Sequence, residues 1–298
     1  MILQIINGYE LKQPLTSKDA GTCLWSTCKK DGKSYFIKKF LAPHFPPRSL
    51  GLSPVTLQKK IDRCVAFYER KRKFYDALML CRTKNIIVVE DFFRWGSAYY
   101  AVTELVHSDS GDPKVLCNLS LNQKRTLLRE IAFSLQVLHN QEIVHADLKP
   151  ENILLVETAE GVTGKLIDFD SGYFSGSAPE EIQGDPVYMA PESFLKMNGA
   201  DITLTKAVDV FALGLIFHQY AAGTLPKFST QYNYAFEAVL NGESLMLSEE
   251  LPSDLSDLIG RMLSFHPDER PDAETVFRAL SRQKTVPKHQ PFSCCGEL

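Results

Sequence analysis

Residues 22–28 and 33–40 read as β-strands, and Asp31-Gly32 between them is a strong two-residue turn, so this stretch predicts a hairpin. Pro43, Pro46, Pro47 and Pro54 break regular structure across Ala42–Pro54. From Thr56 to about Arg82 the apolar period becomes helical. Ile61, Val65, Tyr68, Tyr75, Leu78 and Met79 approximate one face, with Lys and Arg between them. Strands follow at 86–93 and 98–106, around a turn at Trp95-Gly96-Ser97. After Asp112-Pro113 the character changes. Leu127, Leu128, Ile131, Leu135 and Leu138 mark an amphipathic helix over 121–139. Two short apolar strands, Asn152–Val156 and Lys165–Ile167, precede a mostly helical stretch from Pro191 to Leu280. Strands first and helices later predict an α+β architecture in two lobes.

Composition adds bounds. The 298 residues are 44% hydrophobic and 23% charged, the balance of a globular chain able to bury a core without staples. A net charge of −3 gives no broad basic surface, so no nucleic-acid partner is expected. Seven cysteines, an odd number without zinc spacing, suit a reducing compartment. Met1-Ile-Leu-Gln-Ile-Ile lacks the basic start of a signal peptide. The longest apolar run, near Val210–Phe217, is about 8 residues, against roughly 20 for a membrane span. A cytoplasmic location is expected.

Candidate chemistry concentrates at His145-Ala146-Asp147-Leu148-Lys149-Pro150-Glu151-Asn152, with Asp168-Phe169-Asp170 sixteen residues beyond Asn152. Phosphoryl transfer needs a carboxylate near the attacking hydroxyl, ligands for a cation bridging phosphates, and fixed positive charge. A loop offering Asp, Lys and Asn, followed by Asp after a buried strand, supplies these together. Here the chain resembles the eukaryotic-type (Hanks-type) serine/threonine protein kinases. The loop is similar to H-R-D-x-x-x-x-N and Asp168-Phe169-Asp170 to D-F-G. Ala190-Pro191-Glu192 is similar to A-P-E, Asp209-Val210-Phe211-Ala212-Leu213-Gly214 to D-V-W-S-x-G, and Tyr35-Phe36-Ile37-Lys38 to V-A-I-K. His266-Pro267-Asp268-Glu269-Arg270-Pro271 resembles the late segment whose Arg pairs with the A-P-E Glu, here Glu192. The resemblance covers about residues 9–282. Its variant motifs look like those of bacterial members.

The resemblance implies a bilobal protein kinase fold over 1–283, with a small β-rich N-lobe (1–104), a larger helical C-lobe (107–283) and a short tail (284–298). It implies ATP and Mg²⁺ as cofactors and a protein partner with a Ser/Thr acceptor, the chain itself included. Asp147 is then the base, Lys149 meets the transferring phosphate, Asn152 and Asp168 hold Mg²⁺, and Lys38 grips the α- and β-phosphates. A helix Glu should pair with Lys38. Glu69, the single Glu in the predicted helix, is the choice, with Asp62 and Asp76 as alternatives. Gly21 stands at the last glycine of the nucleotide loop, the preceding glycines being replaced by Thr16 and Lys18. Cys23 falls where a Val usually covers adenine. Thr103 is the gatekeeper, Glu104 and Val106 offer hinge backbone, and Leu154 forms the floor. Phe36 replaces a small Ala and is expected to crowd the purine.

Three departures matter. Ala146 replaces the Arg that meets an activation-segment phosphate, and Ser171–Asp185 holds Ser171, Ser175 and Ser177 but no Thr, so activity without phosphorylation there is expected. Asp170 replaces the glycine of D-F-G. Asp185 replaces a Thr and is placed to pair with Lys149. Two rivals remain: a small-molecule phosphotransferase of the aminoglycoside or choline type, and a pseudokinase. The terminal Cys294-Cys295-Gly296-Glu297-Leu298 has the spacing of a lipid anchor but lacks its aliphatic residues, so a chance pair of thiols is the expectation.

Overall fold

The computed structural model describes residues 4–18, 23–47, 51–106, 116, 118–159 and 161–281. Gly21, the tail 284–298 and its two cysteines lie outside the described residues.

The N-terminal lobe is one antiparallel sheet in the order β1-β2-β3-β4-β6-β5. Strands β1 (Ile5–Ile6) and β2 (Tyr9–Leu11) are joined by Asn7-Gly8, both at positive φ (49° and 85°), the two-residue turn that matches strand twist. Strands β3 (Cys23–Lys30) and β4 (Lys33–Phe40) pair along their whole length around Asp31-Gly32, as the sequence predicts. Strands β5 (Val89–Trp95) and β6 (Ala98–Glu104) complete the sheet. One face carries a small core of Ile6, Tyr9, Leu11, Cys28, Ile37, Tyr100 and Val102.

Helix α1 (Pro54–Met79) starts where Ser53 accepts from the Thr56 N–H at 3.2 Å, with Pro54 at the first helical position. Its buried side keeps Tyr75 and Leu78 of the predicted face, with Ile61 and Tyr68 half-buried, and loses two members. Val65 and Met79 are exposed, while Cys64, Phe74, Tyr75 and Leu78 are buried. Aromatic rings dock this side: Phe67, Tyr68 and Tyr75 of α1 meet Phe40, Phe92 and Tyr99 of the sheet at centroid distances of 5.2–6.3 Å. Such pairs contribute about 0.5–1.5 kcal/mol each beyond area burial.

The C-terminal lobe is mainly helical. Helix α2 (Leu121–Asn140) opens with a reciprocal cap between Ser120 and Gln123 and buries the predicted leucine face. Strand β7 (Ile143–Val144) leads into the 145–152 loop. Strands β8 (Ile153–Thr158) and β9 (Gly161–Leu166) form a hairpin, so the second strand is longer than the predicted Lys165–Ile167. β10 (Tyr173–Phe174) pairs with β7. Then come α3 (Pro191–Met197), α4 (Ala207–Ala222), α5 (Ala235–Leu240), α6 (Ser253–Met262) and α7 (Ala273–Ser281). Helix α4 is buried almost all round and stops at Gly223, which takes the left-handed conformation (φ 82°) that L side chains resist. The lobes are stitched beside the 168–170 segment: Ile87 N–H donates to Leu166 O at 3.0 Å, and Leu166 N–H to Asn85 O at 2.8 Å. This is the two-lobed α+β arrangement expected from the sequence. Among the described residues, no helix is long and apolar enough to cross a membrane.

Candidate active site

Asp209, in the first turn of α4, anchors the 145–152 loop. Its side chain is 1% exposed and accepts the N–H groups of His145 (2.8 Å) and Ala146 (2.9 Å), with His139 Nε2 at 3.0 Å. A buried carboxylate so surrounded keeps its charge compensated and fixes the backbone it binds. Ala146 is held at φ +67°, a left-handed position that costs a non-glycine residue roughly 1–2 kcal/mol. His145 packs on Phe169 at 4.8 Å, and its Nε2 meets Ile167 O at 3.0 Å, joining the loop to the next segment.

Asp147 is fixed at both oxygens. Oδ1 accepts the Asp185 N–H at 3.1 Å. Oδ2 accepts from Asn152 Nδ2 at 3.1 Å and lies 3.0 Å from Lys149 Nζ. Asn152 Nδ2 also donates to Asp147 O at 2.7 Å, so the group Asn152 can offer a cation is its Oδ1. Lys149 sits 4.0 Å from Asp185 Oδ2, a loose version of the expected pair. Asp185 Oδ1 accepts the Val187 N–H at 2.9 Å. Arg270 clasps Glu192 in two bonds of 2.6 and 2.9 Å and also donates to Ala207 O, at the start of α4, at 2.9 Å.

Across the cleft, Lys38 Nζ lies 2.6 Å from Asp168 Oδ1 and 3.1 Å from Asp170 Oδ2. Asp168 sits at φ +62°, a strained turn that aims its carboxylate at the lysine. Burial disfavours the Lys38 ammonium, but Asp170 and Asp168 outweigh it and raise its pKa above the ordinary lysine value.

The structure corrects the choice of Glu69. That residue is exposed, and so are Asp62 and Asp76, which bond within the helix to Gln58 and Arg72. Positions 69 and 71 differ by about 200° around a helix, and it is residue 71 that faces the cleft. Lys71 Nζ donates to Asp170 O at 2.6 Å, and Tyr75 OH, one turn on, to Asp170 Oδ1 at 3.0 Å. Burial alone would raise the Asp170 carboxyl. Lys38 and Lys71, with hydrogen bonds from Lys38 and Tyr75, overcome it and hold the group below the usual carboxylate range. Burial lowers the Lys71 ammonium against the pull of Asp170 and raises the Tyr75 phenol.

Of the remaining predicted residues, the strand register puts Cys23 and Thr103 on the sheet face of Lys38, and Glu104, paired with Tyr35, on the opposite face. Cys23 is buried opposite Phe40 at the start of β3, and burial raises its thiol against the opposing charge of Lys38. Thr103 pairs with Phe36 and Glu104 with Tyr35 at the end of β6. Val106 follows that strand half-buried, and Leu154 is half-buried on β8. Phe36 stacks on Trp25 at 5.3 Å. Trp25 Nε1 donates to Lys18 O at 2.7 Å.

Asp168 and Asn152 Oδ1 are hard oxygen donors, a set that suits Mg²⁺, which takes one or two carboxylates and completes its shell with phosphates and water.

Residues 59–280 match the protein kinase domain family. Curated relatives include calcium-dependent protein kinase 7 of Oryza sativa subsp. japonica, 30% identical over 202 residues, covering 65% of this chain and 36% of the relative. Calcium-dependent protein kinase 14 of Arabidopsis thaliana is 24% identical over 277 residues, covering 91% and 49%. A probable myosin light chain kinase of Dictyostelium discoideum is 30% identical over 179 residues, covering 59% and 50%. The aligned part of this chain thus spans at most half the length of these relatives.

Proposed function

The chain belongs to the protein kinase domain family, and we propose that it transfers the γ-phosphoryl group of ATP to Ser and Thr hydroxyls of protein substrates. The observation that carries this reading is the 2.6 Å approach of Lys38, from the N-terminal sheet, to Asp168 in the other lobe, beside the bonded unit of Asp147, Lys149 and Asn152.

Asp147, oriented by Asn152 and the Asp185 N–H, accepts the proton of the acceptor hydroxyl. Lys149 offsets the charge beside it and meets the transferring phosphate. Lys38 holds the nucleotide phosphates, with Cys23, Thr103, Glu104, Val106 and Leu154 around the base and Gly21 in the covering loop. Asn152 and Asp168 would hold Mg²⁺, whose chemistry is to offset charge on phosphate oxygens. Phe36, stacked on Trp25, narrows the roof above the purine.

Residues 1–58 precede the family match, yet they supply Lys38, so we read 1–283 as one catalytic domain with lobes 1–104 and 107–283, and 284–298 as a tail. The buried thiols of Cys28, Cys64 and Cys81 suit a cytoplasmic setting. The Glu192–Arg270 clasp just after the 185–190 segment supports a protein-substrate platform over a small-alcohol site.

The test is an acceptor profile: MgATP with a generic protein, with choline and with an aminoglycoside, followed by mass-spectrometric mapping. Phosphoserine or phosphothreonine on protein, the chain itself included, is expected. Transfer only to a small alcohol would point to a small-molecule phosphotransferase. Nucleotide binding without transfer would point to a pseudokinase.

A further inference from the structure

Lys38 needs a lasting counter-charge. Its side chain is 17% exposed, and an ammonium there without a partner is strongly unfavourable. Asp168 cannot fill that need alone if, as proposed above, it also binds the metal. Helix α1 brings no acid to the site, since Asp62, Glu69 and Asp76 are all exposed. It brings a cation and a phenol, Lys71 and Tyr75, spaced one turn apart on the same face.

Both reach one residue. Asp170 accepts Lys38 at Oδ2 (3.1 Å), Tyr75 at Oδ1 (3.0 Å) and Lys71 at its backbone carbonyl (2.6 Å). The charges therefore alternate from helix to strand: Lys71, Asp170, Lys38. Packing supports the contact. Lys71 Nζ lies 5.7 and 5.6 Å from the ring centroids of Phe40 and Tyr75, and a Cβ on Gly172 would run into the Phe74 ring, so α1 sits directly against this segment.

We propose that Asp170 is the positioning residue for Lys38, and that Lys71 and Tyr75 hold Asp170 in place. The carboxylate expected from α1 is supplied by the activation segment, and the cation stands on the helix. The end of α1 and the placement of Lys38 are then coupled through one residue, Asp170, by its backbone carbonyl to Lys71 and its carboxylate to Tyr75 and Lys38. This rests on the kinase reading, in which Lys38 binds phosphate.

The test is a charge-exchange cycle: Asp170→Gly, Lys71→Glu, and the two together, with Asp170→Asn as a shape-conserving control. Two readouts are taken: steady-state phosphoryl transfer, and hydrogen exchange of α1 amides in the nucleotide-free protein. Asp170→Gly and Lys71→Glu should each lower kcat by about tenfold to hundredfold, with the KM for ATP changing less. Both should speed exchange in the last turns of α1. The double variant moves the carboxylate from the activation segment to the helix, where it can face Lys38 directly, and should recover kcat to within about threefold of wild type, together with α1 protection. Asp170→Asn keeps a partner for Tyr75 and should lose kcat while keeping most of that protection. Asp170→Gly with kcat and exchange near wild type, or a double variant no better than the worse single, would overturn the proposal. If the wild type transfers no phosphate, the kinase reading fails instead, and the exchange data alone decide whether Asp170 anchors α1.

Discussion

Asp147 and Lys38 face each other across the cleft and are held in different ways. Asp147 sits on a loop whose backbone is tied to buried Asp209, and the helix carrying Asp209 is bonded at Ala207 O by Arg270, itself clasped to buried Glu192. Lys38 sits on a sheet strand and meets two carboxylates, Asp168 and Asp170, from a segment far away in the chain, and Lys71 of the helix bonds the Asp170 carbonyl. The first arrangement needs particular residues at fixed spacing, because backbone N–H groups must be matched one by one. The second needs a negative charge at one point in space, and any element that reaches the point can supply it. That difference explains why the loop keeps a recognisable pattern while the carboxylate beside Lys38 comes from an unexpected place.

The contrast can be broken in several ways. Arg270→Ala strands Glu192 in the rigid half and should cost about 3–5 kcal/mol of stability in denaturant unfolding. A loss below 1 kcal/mol would mean that the clasp does not brace the loop. At the seam, Asp168→Asn should lower transfer by roughly 10²–10³-fold, and nucleotide affinity should lose most of its dependence on Mg²⁺. Asp185→Ala removes a partly exposed partner of Lys149 and the acceptor of the Val187 N–H but leaves the backbone N–H to Asp147, so a smaller drop of about fivefold is expected, with ATP binding kept. An unchanged rate would remove Asp185 from the site.

A pH effect belongs to the rigid half. His218 is buried, which lowers its pKa despite the opposing bond to the Thr224 carbonyl, and its Nε2 accepts the Ser248 N–H at 2.9 Å. The folded state therefore favours the neutral ring. Its contribution is present in full above the unfolded value near 6.5 and is lost as pH falls through and below it. Melting temperature should decline from pH 7 to pH 5, and His218→Gln should flatten that decline. A steeper slope in the variant would contradict the assignment.

The smallest effect is expected from phosphatase treatment, which should leave activity within about twofold. The segment is already tied down by Ser175 N–H to Glu142 O (2.7 Å), Gly176 N–H to Leu204 O (2.9 Å) and Tyr188 OH to Gln219 Oε1 (2.7 Å), and Ala146 offers no cation to a phosphate. A marked loss would show that the switch survives without its arginine.

The two-lobed fold and the grouping of Asp147, Lys149, Asn152 and Asp168 were legible because motif spacing and periodicity point the same way. Asp209, Glu192 and Arg270 were legible for the same reason, and each makes the bonds its position implies. The partner of Lys38 was not. Glu69 has the right chemistry, but it lies about 200° around the helix from Lys71, and Tyr68, Tyr75 and Leu78 mark the buried side too coarsely to say which charged residue reaches the cleft. The usable signal was a pair of local oddities, an Asp in place of glycine at position 170 and a Lys-x-x-x-Tyr spacing at 71 and 75. The β1–β2 hairpin was also missed, although Asn7-Gly8 is a strong turn dipeptide, because its strands are only two and three residues long.

The most direct measurement is transfer of labelled γ-phosphate from MgATP to protein by the wild type and by Asp147→Asn, with nucleotide binding checked in both. Label on Ser or Thr from the wild type, reduced about 10²–10⁴-fold in Asp147→Asn at similar ATP affinity, is the expected result. Equal labelling by the two proteins would contradict it.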